Sequence, residues 1–184
     1  MLLLVGKTCT GKNRIQKELI KMGMEPIVTY TTRPPRPEEL DGISYHFITK
    51  EDFFEKRKQG FFAETTHYKV ATGDTWYYGS AVKDLTDDKV IIVNPEGLKK
   101  LGGMLELNPV SFYLLADEEV IWNRLRKRGD NAAEARRRLN SDEKDFERIN
   151  NYIDFAFRND SGLKPELLAE MILYTYRKVI NKYE

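Results

Sequence analysis

Apolar residues along the chain fall into short continuous runs separated by stretches with helical spacing, and this alternation predicts an α/β protein built on a parallel sheet. Leu2-Leu3-Leu4-Val5 is apolar at every position, as a strand covered on both faces requires. Ile15, Leu19 and Met22 follow at helical spacing, and Gly23 closes that helix. Pro26 stops it from continuing into Ile27-Val28-Thr29, a β-branched run that predicts a second parallel strand. Tyr45-His46-Phe47-Ile48 predicts a short strand, residues 50–58 an amphipathic helix ended by Gly60, and 61–70 a β-rich stretch that Gly73-Asp74 turns back into 75–80. That hairpin interrupts the strand and helix order, as an inserted antiparallel lobe would.

The parallel pattern resumes with Val90-Ile91-Ile92-Val93, a helix near 96–101 and the strand Val110-Ser111-Phe112-Tyr113-Leu114-Leu115. Asp117 caps a helix running to Arg128 with Gly129 beyond its end, and helix formers continue to about Arg148. A last strand is expected over 152–157, and Leu167, Leu168, Met171 and Ile172 mark a closing amphipathic helix. The expected organisation is one domain over 1–184. Its core is about 1–30, 88–123 and 149–184, with a lobe at 31–87 and a helical lid at 124–148.

Composition changes this picture little. A chain of 184 residues suffices for one domain with a real core. Thirty basic against 29 acidic side chains leave a net charge of +1, which gives no case for a nucleic-acid or membrane surface. A single cysteine, Cys9, rules out an internal disulfide framework and a cysteine zinc site, and fits a reducing, cytoplasmic setting. The apolar start is too short for an export signal and lacks a basic segment before it, and no run reaches the roughly 18 apolar residues of a membrane span. No obligate protein partner is inferred.

The chemistry concentrates in Gly6-Lys7-Thr8-Cys9-Thr10-Gly11-Lys12-Asn13, between the first strand and the first helix. Two glycines four residues apart, followed by Lys12, satisfy the phosphate-loop pattern, in which backbone N–H groups and a helix N-terminus cradle a polyphosphate. Lys12 would reach the outer phosphates. The pattern expects Ser or Thr next, as a hydroxyl ligand for Mg²⁺, and this chain has Asn13. The bland alternative is a glycine turn before a helix.

Downstream, the prolines of Thr32-Arg33-Pro34-Pro35-Arg36-Pro37 force an extended path from one side of which Arg33 and Arg36 project. Two guanidinium forks on a stiff segment suit a terminal phosphate; a connector with two solvated arginines is the other reading. The stretch 124–138 is rich in arginine, which reads either as a solvated helical face or as a mobile lid bringing positive charge over a phosphate site.

Together these motifs resemble the guanylate kinases, P-loop nucleoside-monophosphate kinases that move the γ-phosphate of ATP to GMP, over nearly the whole chain. The segment from Thr31 to Pro37, followed by Asp41-Gly42 and Tyr45-His46-Phe47, is similar to the family's GMP-phosphate segment. Tyr78-Gly79-Ser80 resembles its second GMP contact, Arg124-Leu125 with Arg128-Gly129 its lid entrance, and Arg138-Leu139 its lid arginine. The resemblance implies a parallel sheet core, an inserted mixed-β GMP-binding lobe and a helical lid. It implies that Gly6, Thr8, Cys9, Thr10, Gly11, Lys12 and Asn13 hold ATP, with Mg²⁺ as cofactor and Asn13 as its ligand. Arg33, Arg36, Tyr45 and Tyr78 would hold the GMP phosphate, while Glu64, Thr29 and Ser80 read the base. Lys12, Arg124, Arg128 and Arg138 would be catalytic. The residues support Glu64 independently: guanine presents N1–H and an exocyclic amine side by side, a donor pair that one carboxylate can accept.

This chain departs from the family pattern in three places. Asn13 offers an amide carbonyl in place of a hydroxyl, still a hard oxygen. The spacing from Glu64 to Tyr78 is longer than usual. Ile92-Val93-Asn94 stands where the family carries two aspartates facing ATP-Mg²⁺ and GMP. A kinase for another monophosphate and a non-catalytic, peptide-binding guanylate-kinase-like module are the competing readings; the intact Gly11-Lys12 argues against the module.

Overall fold

The structure is a computed structural model that describes residues 1–70, 73–160 and 162–181. Strand β1 (Leu2–Val5) is buried at all four positions and lies at the centre of a five-stranded parallel sheet. Its order is β2 (Glu25–Pro26), β7 (Lys89–Ile92), β1, β8 (Val110–Leu115) and β9 (Phe155–Arg158). Because side chains alternate across a strand, Leu2 and Leu4 face one layer and Leu3 and Val5 the other. The first layer packs α1 (Lys12–Lys21) and α6 (Pro165–Ile180) through Ile15, Leu19, Leu168, Ile172 and Tyr176. The second packs α3 (Pro95–Gly102) through Leu98 and Leu101, together with Phe146 and Ile149. Burial on both faces is why β1, β7 and β8 read as apolar runs.

A second sheet orders β4 (His46–Phe47), β3 (Tyr30–Thr31), β6 (Thr75–Ala81) and β5 (Phe62–Lys69). Helix α2 (Lys50–Lys58) begins where the Thr49 hydroxyl accepts the Asp52 N–H, and it buries Phe53 against Phe62 with ring centroids 4.7 Å apart. Helices α4 (Glu118–Arg128) and α5 (Ala132–Asp145) follow β8 as a helical pair, and residues 124–148, the stretch expected to be a lid, begin within α4. Gly129 ends α4 in the left-handed region, and the Asn131 side chain accepts the Ala133 and Glu134 N–H groups to start α5. Ile121, Leu125 and Ala135 give the pair its own small core.

One predicted strand is displaced. Ile27-Val28-Thr29 is not a strand; it is the passage between the two sheets, flanked by Glu25–Pro26 in the first and Tyr30–Thr31 in the second. Pro26 lacks an N–H yet sits in a strand because β2 is at the sheet edge, where no outer neighbour needs that donor. The Ile27 N–H still donates to the Val90 carbonyl, and the Thr29 carbonyl accepts from His46, so the passage serves both sheets. The last strand likewise begins at Phe155 rather than 152, after a short turn at Ile149–Asn151. Residues 71–72 of the expected lobe and 161 and 182–184 of the expected core lie outside the described residues.

Candidate active site

The loop from Gly6 to Lys12 leaves the C-terminal end of β1, the side of a parallel α/β sheet where ligands bind. Its shape is set by contacts from distant segments. A Cβ on Gly6 would lie 2.7 Å from both the Leu114 carbonyl oxygen and the Thr10 hydroxyl. Gly11 has φ +96°, and a Cβ there would lie 2.3 Å from Asn159 Nδ2. No other residue fits either position without moving the loop. The buried Thr10 hydroxyl donates to the Lys7 carbonyl at 2.9 Å, and Asn159 Nδ2 donates to the Thr10 carbonyl at 2.7 Å. Arg124 donates to the carbonyls of Cys9 (3.1 Å) and Asn159 (2.6 Å). With carbonyls bound outward, the N–H groups of Gly11, Lys12 and Asn13 have no acceptor among the described residues, the arrangement of an anion cradle at a helix start.

Lys12 Nζ donates to the carbonyls of Gly6 (2.5 Å) and Lys7 (2.8 Å). Burial lowers its ammonium to about 8, against a smaller upward pull from Asp142. A polyphosphate beside it would favour the charged form against that burial. Cys9 packs beside the small core of the lid, and burial pushes its thiol up, so it is a filler rather than an activated nucleophile. Asn13 is exposed on the first turn of α1.

In the second sheet, β5 and β6 carry Glu64, Thr66, Tyr78 and Ser80. The register sets Glu64 opposite Ser80 and Thr66 opposite Tyr78, so the long spacing from Glu64 to Tyr78 is taken up by a longer hairpin beyond these pairs. A register shift between Phe62 and Glu64 turns the strand just before the carboxylate. The Ser80 hydroxyl donates to Glu64 Oε1 at 2.7 Å, and Oε2, near Gly97 of α3, has no hydrogen-bond partner among the described residues. Burial pushes the Glu64 carboxyl up, with the Ser80 bond working against that shift. Asn94 caps α3 by accepting the Gly97 N–H and donates to Thr66 Oγ1 at 2.9 Å, tying the lobe to the core. Tyr30 pairs with Gly79, and the same register continued by one residue sets Thr29 across from Ser80.

Arg33 does not project beside Arg36 as the proline path predicts. It is buried, its Nη2 bonds both oxygens of Glu39 at 2.8 Å, its Nη1 donates to the Pro34 carbonyl, and its guanidinium lies 5.3 Å from the Tyr45 ring centroid. Arg36 is exposed, and its backbone N–H donates to the same Glu39. Burial works against the Glu39 charge, but the Arg36 N–H and the Arg33 fork outweigh it and hold the carboxyl below its usual range. Tyr45 and Tyr78 meet edge to face at 6.1 Å. The structure thus brings Arg33, Tyr45 and Tyr78 into one cluster organised by Glu39, with Arg36 at its rim.

The lid arginines are also engaged within the chain. Arg128 pairs with Asp130, Arg138 donates to Glu134 at 2.9 Å, and Arg124 braces the phosphate loop. Sequence reasoning missed Glu39, Asp142 and Asn159. Asn159 follows the last strand of the sheet, and a polar residue at that end was the available signal. Glu39 and Asp142 stand among many other charged residues, and nothing in their spacing marks them.

A parallel sheet with a glycine loop at its ligand-binding end, a facing lobe and an arginine-bearing helical pair defines a phosphate-binding α/β protein with an inserted second site. A model of the guanylate kinase family matches residues 1–162. A guanylate kinase of Syntrophus aciditrophicus is 34% identical over 160 residues, covering 83% of this chain and 74% of its own. Another, from Nitratidesulfovibrio vulgaris, is 33% identical over 151 residues, covering 77% and 70%. The crystal structure of guanylate kinase from Anaplasma phagocytophilum superposes with a TM-score of 0.66 at 22% identity, over 97% of this chain and 84% of that one, and supports the fold. The chain belongs to the guanylate kinase family.

Proposed function

We propose that the protein transfers the γ-phosphoryl group of ATP to GMP or dGMP, giving ADP and GDP or dGDP. The observation that carries this reading is the buried Glu64 carboxylate, bonded on Oε1 by Ser80, in a chain whose phosphate loop keeps its lysine. Glu64 Oε2 accepts from guanine's N1–H and amine pair, and Thr29 and Ser80 border the base. Arg33, Arg36, Tyr45 and Tyr78 hold the monophosphate, with Glu39 fixing the Arg33 fork. The loop and Lys12 hold the ATP phosphates on the opposite side. Transfer is direct and in line, because phosphoryl transfer depends chiefly on positioning and charge neutralisation. Arg124, Arg128 and Arg138 stabilise charge on the moving group once Arg128 and Arg138 exchange their carboxylate partners for it.

Among the described residues no group of three or more His, Cys, Asp or Glu side chains is arranged to hold a metal ion. The donor set therefore fits a divalent ion brought in on nucleotide phosphates rather than one caged by protein, and Mg²⁺ is the ion that suits such a site. Asn13 would supply a protein oxygen to it, and the ion would neutralise phosphate charge. No helix among the described residues is long and apolar enough to cross a membrane. A cytoplasmic enzyme acting on free nucleotides, without nucleic-acid, membrane or obligate protein partners, completes the reading.

The test is ADP release with ATP and Mg²⁺ across GMP, dGMP, IMP, AMP, CMP and UMP. GMP or dGMP should be the best acceptor, and Glu64→Gln should erode the preference over AMP. GMP affinity of the unaltered protein should fall as acid protonates Glu64, at a pH above the ordinary carboxyl value of 4.5, and that dependence should flatten in the variant. Equal turnover of AMP and GMP would refute the assignment of Glu64.

A further inference from the structure

The phosphate loop is engaged by an anion of the protein's own. Asp142, near the end of α5, accepts the backbone N–H of Thr8 on Oδ2 at 2.5 Å. Its neighbour Glu143 forms an ion pair with Lys7. Lys12 is turned back onto the Gly6 and Lys7 carbonyls, within range of the Asp142 charge. A carboxylate oxygen on a loop N–H, beside two lysines, presents the same chemistry as a phosphate oxygen: a compact anion accepting a charge-assisted bond. The two contacts come from adjacent lid residues and meet adjacent loop residues, so they dock one end of α5 onto the loop as a unit.

We propose that Asp142 is a resident competitor for the polyphosphate of ATP, holding the lid on the empty loop until nucleotide displaces it. The inference rests on the reading that this loop binds ATP phosphates, and it adds that the loop's affinity is set from within the chain. A ligand that must displace an internal occupant has its affinity reduced to the fraction of molecules in which the seat is free. Charge strengthens the effect, because a carboxylate left beside the loop repels the incoming phosphates. Glu143 acts in the same direction by occupying Lys7. The GMP pocket, organised by Glu39 and Glu64, uses neither residue.

Calorimetric titration of the full chain with inorganic tripolyphosphate, with a non-hydrolysable ATP analogue and Mg²⁺, and separately with GMP tests this. Asp142→Ala and Asp142→Asn should each bind tripolyphosphate and the ATP analogue at least about fivefold more tightly than the unaltered protein, with GMP affinity within about twofold. The asparagine variant keeps the shape and an acceptor for the Thr8 N–H while removing the charge, so it carries the test if the alanine variant does not fold. Lys12→Ala should abolish tripolyphosphate binding in either background. Unchanged or weaker binding of both phosphate ligands by the variants, with the unaltered protein binding normally, would overturn the competition while leaving the loop assignment in place. Failure of folded wild-type protein to bind either ligand would overturn the loop assignment and the competition with it.

Discussion

Arg33 and Glu39 show how one carboxylate converts an arginine on a proline-stiffened segment into a rigid fork. Two of the five guanidinium N–H donors go to Glu39 and one to Pro34, so two remain, on a guanidinium whose carbon lies 5.3 Å from the Tyr45 ring centroid. Arg33→Ala should weaken GMP binding about ten- to a hundredfold, or roughly 1.5–3 kcal/mol for a charge-assisted contact, and leave binding of an ATP analogue nearly intact. Glu39→Ala, which removes no ligand contact, should raise the KM for GMP by about tenfold with kcat largely kept. Steady-state kinetics of the two variants check both statements; an equal loss of ATP affinity would place these residues outside the monophosphate site. At this scale the sequence was partly legible. Arg33 and Glu64 could be proposed from their own chemistry, and Tyr45 and Ser80 only because the motifs that hold them resemble the family's. Glu39, Asn159 and Asp142 act by holding other protein groups, and that role depends on contacts up to 149 positions away, as between Asn159 and Thr10.

At the scale of elements, the apolar runs located β1, β7 and β8 closely, because strands buried on both faces leave an unmistakable pattern. The displaced β2 shows the limit: a two-residue edge strand needs neither β-branched side chains nor a full set of N–H donors, so propensity pointed to the passage beside it. The lid was legible as helix from its composition, but its charge pattern was not. Glu134 takes both Arg137 and Arg138, and the Arg137 bond is the main reason that its carboxyl is held near 2, against some opposing burial. A carboxyl with a lowered pKa stabilises the fold above its unfolded value, and this contribution disappears as pH falls through the folded one. Glu134→Gln should therefore cost well under about 1 kcal/mol of stability at pH 7, for so exposed a cluster, and lower the melting temperature slightly. The deficit should close as pH drops from 4.5 toward 2. Melting curves of both proteins across that range measure it, and a difference that persists at the acid end would show that the ion pairs are not its source.

For the whole molecule, two sheets with different jobs meet at Ile27-Val28-Thr29 and at the Asn94–Thr66 bond. The parallel sheet fixes the phosphate loop through Asn159 and Leu114, and the lobe fixes a carboxylate and an arginine fork across from it. Helix α5 meets the loop through Asp142 and Glu143, while Arg128, Arg137 and Arg138 pair with Asp130 and Glu134 of their own segment. This three-part plan was legible because glycine loop, proline-arginine segment and arginine-rich helices each carry their own sequence pattern. The self-pairing of the charges was not, since the same residues could equally have faced solvent.

The most direct test of the account is the formation of GDP from ATP and GMP by the unaltered protein and by Lys12→Ala, measured alongside GMP binding. The account predicts that the unaltered protein makes GDP and that the variant loses at least about a hundredfold in kcat, or about 2.7 kcal/mol of barrier, while its affinity for GMP stays within about twofold. Absence of GDP with the unaltered protein, or a variant that turns over at an undiminished rate, would contradict it.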